Sequence, residues 1–167
     1  VDANEGWDLE TGISMSFWLA DNNIEFIEQP FKSTNLSDTA QLKIKSPLPI
    51  IADENSINAS DIPKIENVFD GINIKLMKCG SLFEAIKMVK MARERDMQIM
   101  LGCMIESSVA ITAAAHISPL VDYADLDGNL LINNDPYKGV TIDNGRLILP
   151  RTNGLGVSLI DNDTSLR

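Results

Sequence analysis

With 167 residues, 44% of them hydrophobic, the chain can bury a core without disulfide staples. A formal charge of -10 argues against a phosphate-backbone partner and favours a cation or cationic group as the guest. No apolar run reaches the roughly 20 residues of a membrane span and no basic-then-apolar leader opens the chain, so neither nucleic acid nor membrane is an expected partner.

Val1-Asp2-Ala3-Asn4 reads as the tail of a strand ending in an acid, as if earlier strands belonged to a longer protein. A helix is predicted from Asp8 to Leu19, with Leu9, Ile13, Phe17 and Ala20 as its apolar stripe. Ile24 to Glu28 is a strand that Gln29-Pro30 closes. Ser33 to Asn35 offer caps for a helix over Leu36 to Ile44, which Ser46-Pro47 ends.

Pro49-Ile50-Ile51-Ala52 then breaks into Asp53-Glu54, the pattern of a buried parallel strand delivering an acid to its carboxyl edge. A weaker helical segment spans Asn58 to Asn67, and Ile72-Asn73-Ile74 ends in Lys75. Gly80-Ser81 opens the clearest helix, with Leu82, Ala85, Ile86, Val89 and Ala92 facing inward. Met97 to Leu101 is another apolar strand, Gly102 to Ser108 a loop, and Val109 to Ile117 a small-residue helix stopped by Pro119. The last strand runs from Tyr123 to Asp127.

Strict alternation of strand and helix implies parallel strands joined by crossovers. Strand ends at Asp2, Glu28, Asp53, Lys75, Leu101 and Asp127 would be six of the eight in a (β/α) barrel. Gly139 to Leu149, turning at Asn144-Gly145, is a β-hairpin expected to dock on the barrel rim or on a domain outside this chain. The expected divisions are a partial barrel over 1–135, the hairpin and following loop over 136–160, and a loose tail over 161–167. Cys79 and Cys103 lack metal-site spacing and read as buried thiols in a reducing, cytoplasmic setting. His116 reads as a helix residue, and Trp7 and Trp18 as packing residues.

Asp2, Glu28 and Asp53 fall on three successive strand ends, a hard-oxygen set suited to magnesium, with Lys75 available to balance its charge. Asp125 and Asp127, two apart in a strand, would share a face and accept an ammonium group between them.

These residues resemble a known family. Val1-Asp2-Ala3-Asn4, Ile27-Glu28-Gln29-Pro30, Ala52-Asp53-Glu54-Asn55 and Asn73-Ile74-Lys75-Leu76-Met77-Lys78-Cys79-Gly80 are similar to the catalytic half of the enolase superfamily, in its muconate-lactonizing subgroup. Within that subgroup they resemble the dipeptide epimerases acting on L-Ala-D/L-Glu. The resemblance implies the C-terminal part of a (β/α)7β barrel of the TIM type, lacking an N-terminal capping domain and an earlier strand with a Lys-x-Lys motif. It further implies Mg2+ on Asp2, Glu28 and Asp53, and Lys75 as one of two acid/base lysines, with a lowered pKa. The implied reaction inverts an α-carbon by proton removal and return through a metal-stabilised enolate, in the pattern of a Lys base with magnesium that the superfamily exemplifies. Asp125 and Asp127 would hold the amino terminus of a small dipeptide, and Cys103 and Met104 would line the pocket. Glu106 is either a supporting group of the site or a plain helix-start acid. The remainder of the same protein, or a second copy, is the implied protein partner.

Other readings are a cycloisomerase or dehydratase of the same superfamily, a metal-binding piece without activity, and a signalling receiver domain. The receiver would need an acid pair after its first strand and five strands in all; six strand ends and the closing hairpin oppose it.

Overall fold

Ile-rich runs that must be buried on both faces form the centre of the molecule. A computed structural model describes residues 1–160; the tail expected over 161–167 lies outside the described residues. Strands β1 (Ile27–Glu28), β2 (Ile50–Ala52), β3 (Gly71–Lys75), β4 (Gln98–Gly102) and β5 (Tyr123–Ala124) form one parallel sheet in sequence order. Their registers place Ile27 beside Ile50, Ile51 beside Gly71, Gly71 beside Gln98 and Met100 beside Tyr123. A parallel bridge from Asp2 to Glu28 adds a sixth stave. Ile27, Ile50, Ile51, Ile72, Ile74, Ile99 and Leu101 are wholly buried, as parallel strands covered on both faces require. All six predicted staves are present, in the order of a partial barrel, although the last one stops short of Asp127.

Helices α1 (Leu9–Asp21), α2 (Leu36–Lys45), α3 (Ile62–Ile65), α4 (Leu76–Cys79), α5 (Leu82–Arg93) and α6 (Ser108–Ala115) fill the connections. The Ser81 side chain caps α5 by accepting from Glu84 N, and Asn35 caps α2 by accepting from Asp38 N. Two predicted stripes are turned from their expected position. In α1 the fully buried residues are Gly12, Ser16 and Leu19, while Phe17 is 52% and Trp18 57% exposed. The reason is close approach: a Cβ on Gly12 would stand 2.7 Å from the Phe31 ring and 3.3 Å from Leu42 of α2, so small residues face the neighbour. In α5 Met88 is buried in place of Ile86, which is 46% exposed. No helix among the described residues is long and apolar enough to cross a membrane.

At the amino edge of the sheet an acid before one strand accepts from an amide at the start of its neighbour. Asp70 accepts from Ile50 N at 2.8 Å and stands 3.4 Å from the Lys43 ammonium. Asp122 accepts from Ile99 N at 2.8 Å and from Arg93 Nη1 at 2.7 Å. These contacts serve stability, as residues at this end of a barrel generally do.

Strand β5 ends three residues sooner than expected, at Ala124, and Asp127 instead leads a 3-10 turn at Gly128–Leu131. Gly128 passes so close to the Cys103–Met104 loop that a Cβ there would lie 2.0 Å from Met104 O. Beyond it, β7 (Thr141–Asp143) and β8 (Arg146–Ile148) form the predicted hairpin, with Asn144 and Gly145 both at positive φ. Its root is held on α6, where Val140 N donates to Thr112 Oγ1 at 2.8 Å and Val140 is buried. A second pairing, β6 (Tyr137–Lys138) with β9 (Ser158–Leu159), had no sequence signal.

Candidate active site

The carboxyl edge of the sheet gathers the charged strand ends. Glu28 ends β1, Asp53 follows β2 and Lys75 ends β3; Glu28 and Asp53 are only 4% and 5% exposed. The Lys75 ammonium donates to Asp53 Oδ2 at 2.6 Å and stands 3.9 Å from Glu28 Oε1, bridging the two acids. Asp2 joins them from the sixth stave, more exposed, with Oδ1 accepting from Asn4 N at 2.8 Å. These four residues, read as one cluster in the sequence, do share one edge of the fold.

Their charges act on one another. Burial raises the Glu28 carboxyl above its ordinary range; Asn73 opposes this by donating from Nδ2 at 2.6 Å, and the charges of Asp2 and Asp53 reinforce it. Lys75 is raised, the reverse of the sequence expectation. Burial pulls it down, but the hydrogen bond to Asp53 and the charges of Asp53, Glu28 and Asp2 outweigh that pull. The expectation counted a divalent cation among its neighbours, whereas the charges that act on it here are those of Asp53, Glu28 and Asp2.

Among the described residues no three acid, His or Cys side chains stand at metal-holding spacing. The Lys75 ammonium lies between Glu28 and Asp53. The chemistry of the donor set fits magnesium: three carboxylates on adjacent staves, electrostatically coupled, with Asp53 Oδ2 held by Lys75.

Three residues that the sequence reading passed over complete the arrangement. Gln29 is wholly buried; its Oε1 accepts from Asp53 N at 2.9 Å, and its Nε2 donates to Asn55 Oδ1 at 2.7 Å and Phe31 O at 3.0 Å. Asn73, two residues before Lys75 on the same strand, shares its face and orients Glu28, so the alternation rule applied to Asp125 and Asp127 would have found it. Lys78 returns from α4 onto Asp53, donating to Asp53 Oδ1, to Asp53 O at 2.6 Å and to Asn73 O at 3.1 Å. Burial lowers the Lys78 ammonium, and Asp53 only partly opposes it. The Lys75-x-x-Lys78 spacing was its one sequence signal.

Asp125 and Asp127 flank buried Leu126 and are themselves exposed, but the strand that was expected to align them has ended at Ala124. Partial enclosure raises the Asp125 carboxyl, repulsion from Asp127 adds to this, and Lys75 opposes it, which puts all three in one electrostatic neighbourhood. Cys103 Sγ lies 4.0 Å from Asp127 Oδ1, its thiol raised by burial. Both cysteines are free and only partly buried, Cys79 at the end of α4 and Cys103 beside this edge, rather than core thiols as expected. Met104 is 43% exposed, and its amide donates to Glu106 Oε1 at 2.7 Å. Glu106 thus braces the loop, while the amide of Ser108 at the start of α6 donates to Asp135 Oδ2. His116 closes α6 away from this cluster, with Nε2 3.2 Å from Leu155 O.

The chain is 48% identical over 161 residues to an L-Ala-D/L-Glu epimerase of Bacteroides thetaiotaomicron, an alignment covering 96% of this chain and 42% of that protein. It is 41% identical over 159 residues to a hydrophobic dipeptide epimerase of a Flavobacteria bacterium, covering 95% and 46%. Its fold matches the crystal structure of a dipeptide epimerase from Cytophaga hutchinsonii complexed with Mg and D-Ala-L-Val, with a TM-score of 0.88 and 30% identity over 97% of this chain and 46% of that one. The chain spans less than half the length of each. The enolase C-terminal domain-like family matches residues 1–163, and the chain belongs to that family.

Proposed function

We propose that this chain is the catalytic barrel portion of a magnesium-dependent dipeptide epimerase of the L-Ala-D/L-Glu type. Residues 1–135 carry the site, and 136–160 pack on the rim or on a capping domain of the full protein. Asp2, Glu28 and Asp53 would hold the ion, with Gln29 and Asn73 fixing two of them. Bound there, Mg2+ supplies positive charge where the substrate's carbonyl oxygens gain negative charge as the α-proton leaves.

Lys75 is the acid/base group for one face of the α-carbon: as a neutral amine it accepts the proton, and as an ammonium it returns one. A group for the opposite face, and the contacts to the second residue's side chain, belong to the remainder of the full protein or to a second copy. Asp125 and Asp127 receive the dipeptide's ammonium group; burial raises the Asp125 carboxyl and repulsion from Asp127 adds to it, and an ammonium between the two would relieve that repulsion. Cys103, Met104 and Glu106 line and brace the pocket beside it.

The observation that carries this reading is the meeting of Glu28, Asp53 and Lys75 at one buried sheet edge, with Asp2 bridged to Glu28. Its test is Lys75→Ala in the full protein, followed by NMR of substrate in deuterated water. Exchange at one face of the α-carbon should vanish; retained exchange from both faces would exclude the assigned role.

A further inference from the structure

We infer that Lys78 is a positioning residue that commits Asp53 Oδ1 permanently and leaves Oδ2 as the oxygen offered to a divalent ion. The inference rests on the reading of Asp53 as a magnesium ligand.

Helix α4 follows β3 without a break and reverses the chain, so Lys78 lies back over the strand that carries Lys75. Its side chain is only 13% exposed, and its ammonium meets three acceptors: Asp53 Oδ1, Asp53 O at 2.6 Å and Asn73 O at 3.1 Å. An ammonium has three hydrogens, and each has a partner here. Two of those partners are backbone carbonyls on adjacent staves, so Lys78 joins β2 to β3 at the point where Asp53 leaves the sheet.

Lys75 is placed differently. It touches Asp53 only through Oδ2 and is already within 3.9 Å of Glu28. It gives up one hydrogen bond in swinging away, whereas Lys78 would give up three, two of them to backbone carbonyls that Ser56 also serves. One carboxylate therefore carries a fixed lysine on one oxygen and an exchangeable lysine on the other. Gln29 holds the amide of the same residue at 2.9 Å, so backbone and side chain of Asp53 are both set before any ligand arrives.

The sign of the effect separates positioning from charge alone. A nearby cation repels Mg2+, so a Lys78 that acted only by its charge would, on removal, leave binding tighter. A positioning Lys78, on removal, frees Asp53 to rotate and leaves binding weaker.

The test is Mg2+ titration calorimetry on the full protein and on Lys78→Met, Lys78→Arg, Lys43→Met and Asp53→Asn. Lys78→Met should weaken Mg2+ by about tenfold or more, the range for groups that orient metal ligands. Lys78→Arg should fall between it and the wild type, because a planar fork keeps the charge but cannot put one nitrogen on all three acceptors. Lys43→Met removes a comparable lysine contact to Phe69 O and Asp70 at the opposite edge, and should lower thermal stability with Mg2+ affinity unchanged. Affinity equal to or tighter than wild type in either Lys78 variant overturns the inference, including where only the arginine variant folds. Wild-type affinity in Asp53→Asn overturns the metal reading itself, whatever Lys78 does.

Discussion

Replacing Gln29 by Leu tests how the site edge is held, because volume is nearly conserved and the polar contacts alone are lost. The wholly buried amide of Gln29 makes its closest bonds to Asp53 N at 2.9 Å, Phe31 O at 3.0 Å and Asn55 Oδ1 at 2.7 Å. Leucine leaves all three without that partner. Asp53 and Phe31 are buried, so the amide of one and the carbonyl of the other each incur roughly 1–3 kcal/mol of uncompensated desolvation. Asn55 is only partly buried and keeps its bond to Ser33 O at 2.9 Å, so its loss is the smallest. The expected destabilisation is about 2–5 kcal/mol, a large part of the 5–15 kcal/mol typical of a domain. Urea unfolding followed by circular dichroism measures it, with an unchanged m-value showing that the denatured state is not the cause. A loss under about 1 kcal/mol would refute the claim that this amide straps the β1 end to the Asp53 turn.

Gly102→Ala would place a Cβ 2.6 Å from Asn73 Oδ1, pushing that side chain off Glu28. The expected result is weakened Mg2+ binding by calorimetry with the sheet retained in circular dichroism; unaltered binding would free Glu28 from any dependence on Asn73. At the opposite edge, the Arg93 guanidinium holds the Asp122 carboxyl below its ordinary value. A carboxyl lowered by folding stabilises above its unfolded pKa, about 3.9, and loses that contribution as pH falls through the folded value. Thermal melts from pH 7 to pH 3 should therefore show Asp122→Asn flattening the acid side of the curve. The deficit at neutral pH should stay under about 1 kcal/mol, since both partners are more than a third exposed. A wild-type to variant gap that is constant with pH would contradict this.

The strand ends were legible because each is an apolar run broken by a charged residue, a pattern that buried parallel strands force on a sequence. Asp2, Glu28, Asp53 and Lys75 could be read for that reason, and the Asn144-Gly145 turn because only such residues take two successive positive φ angles cheaply. The faces of α1 and α5 were misread because periodicity counts large apolar side chains, while Gly12 and Ser16 are buried by close helix approach. Gln29 and Lys78 escaped notice for a different reason. A polar residue that works by filling three or four hydrogen bonds has the same letter as one in solvent, and only the fold shows which it is. The pairing of β6 with β9 involves two residues on each side, too few for any alternation to register.

The central claim is that one divalent ion is gathered by three acids from separate staves. A crystal structure of the full protein grown with Mn2+ as a magnesium stand-in addresses it most directly, through the metal's anomalous scattering. One peak is expected within about 2–2.5 Å of an oxygen from each of Asp2, Glu28 and Asp53, with Lys75 moved off Asp53 Oδ2 and Lys78 still on Oδ1. A peak elsewhere, or a Lys75–Asp53 pair intact at saturating metal, would contradict the account.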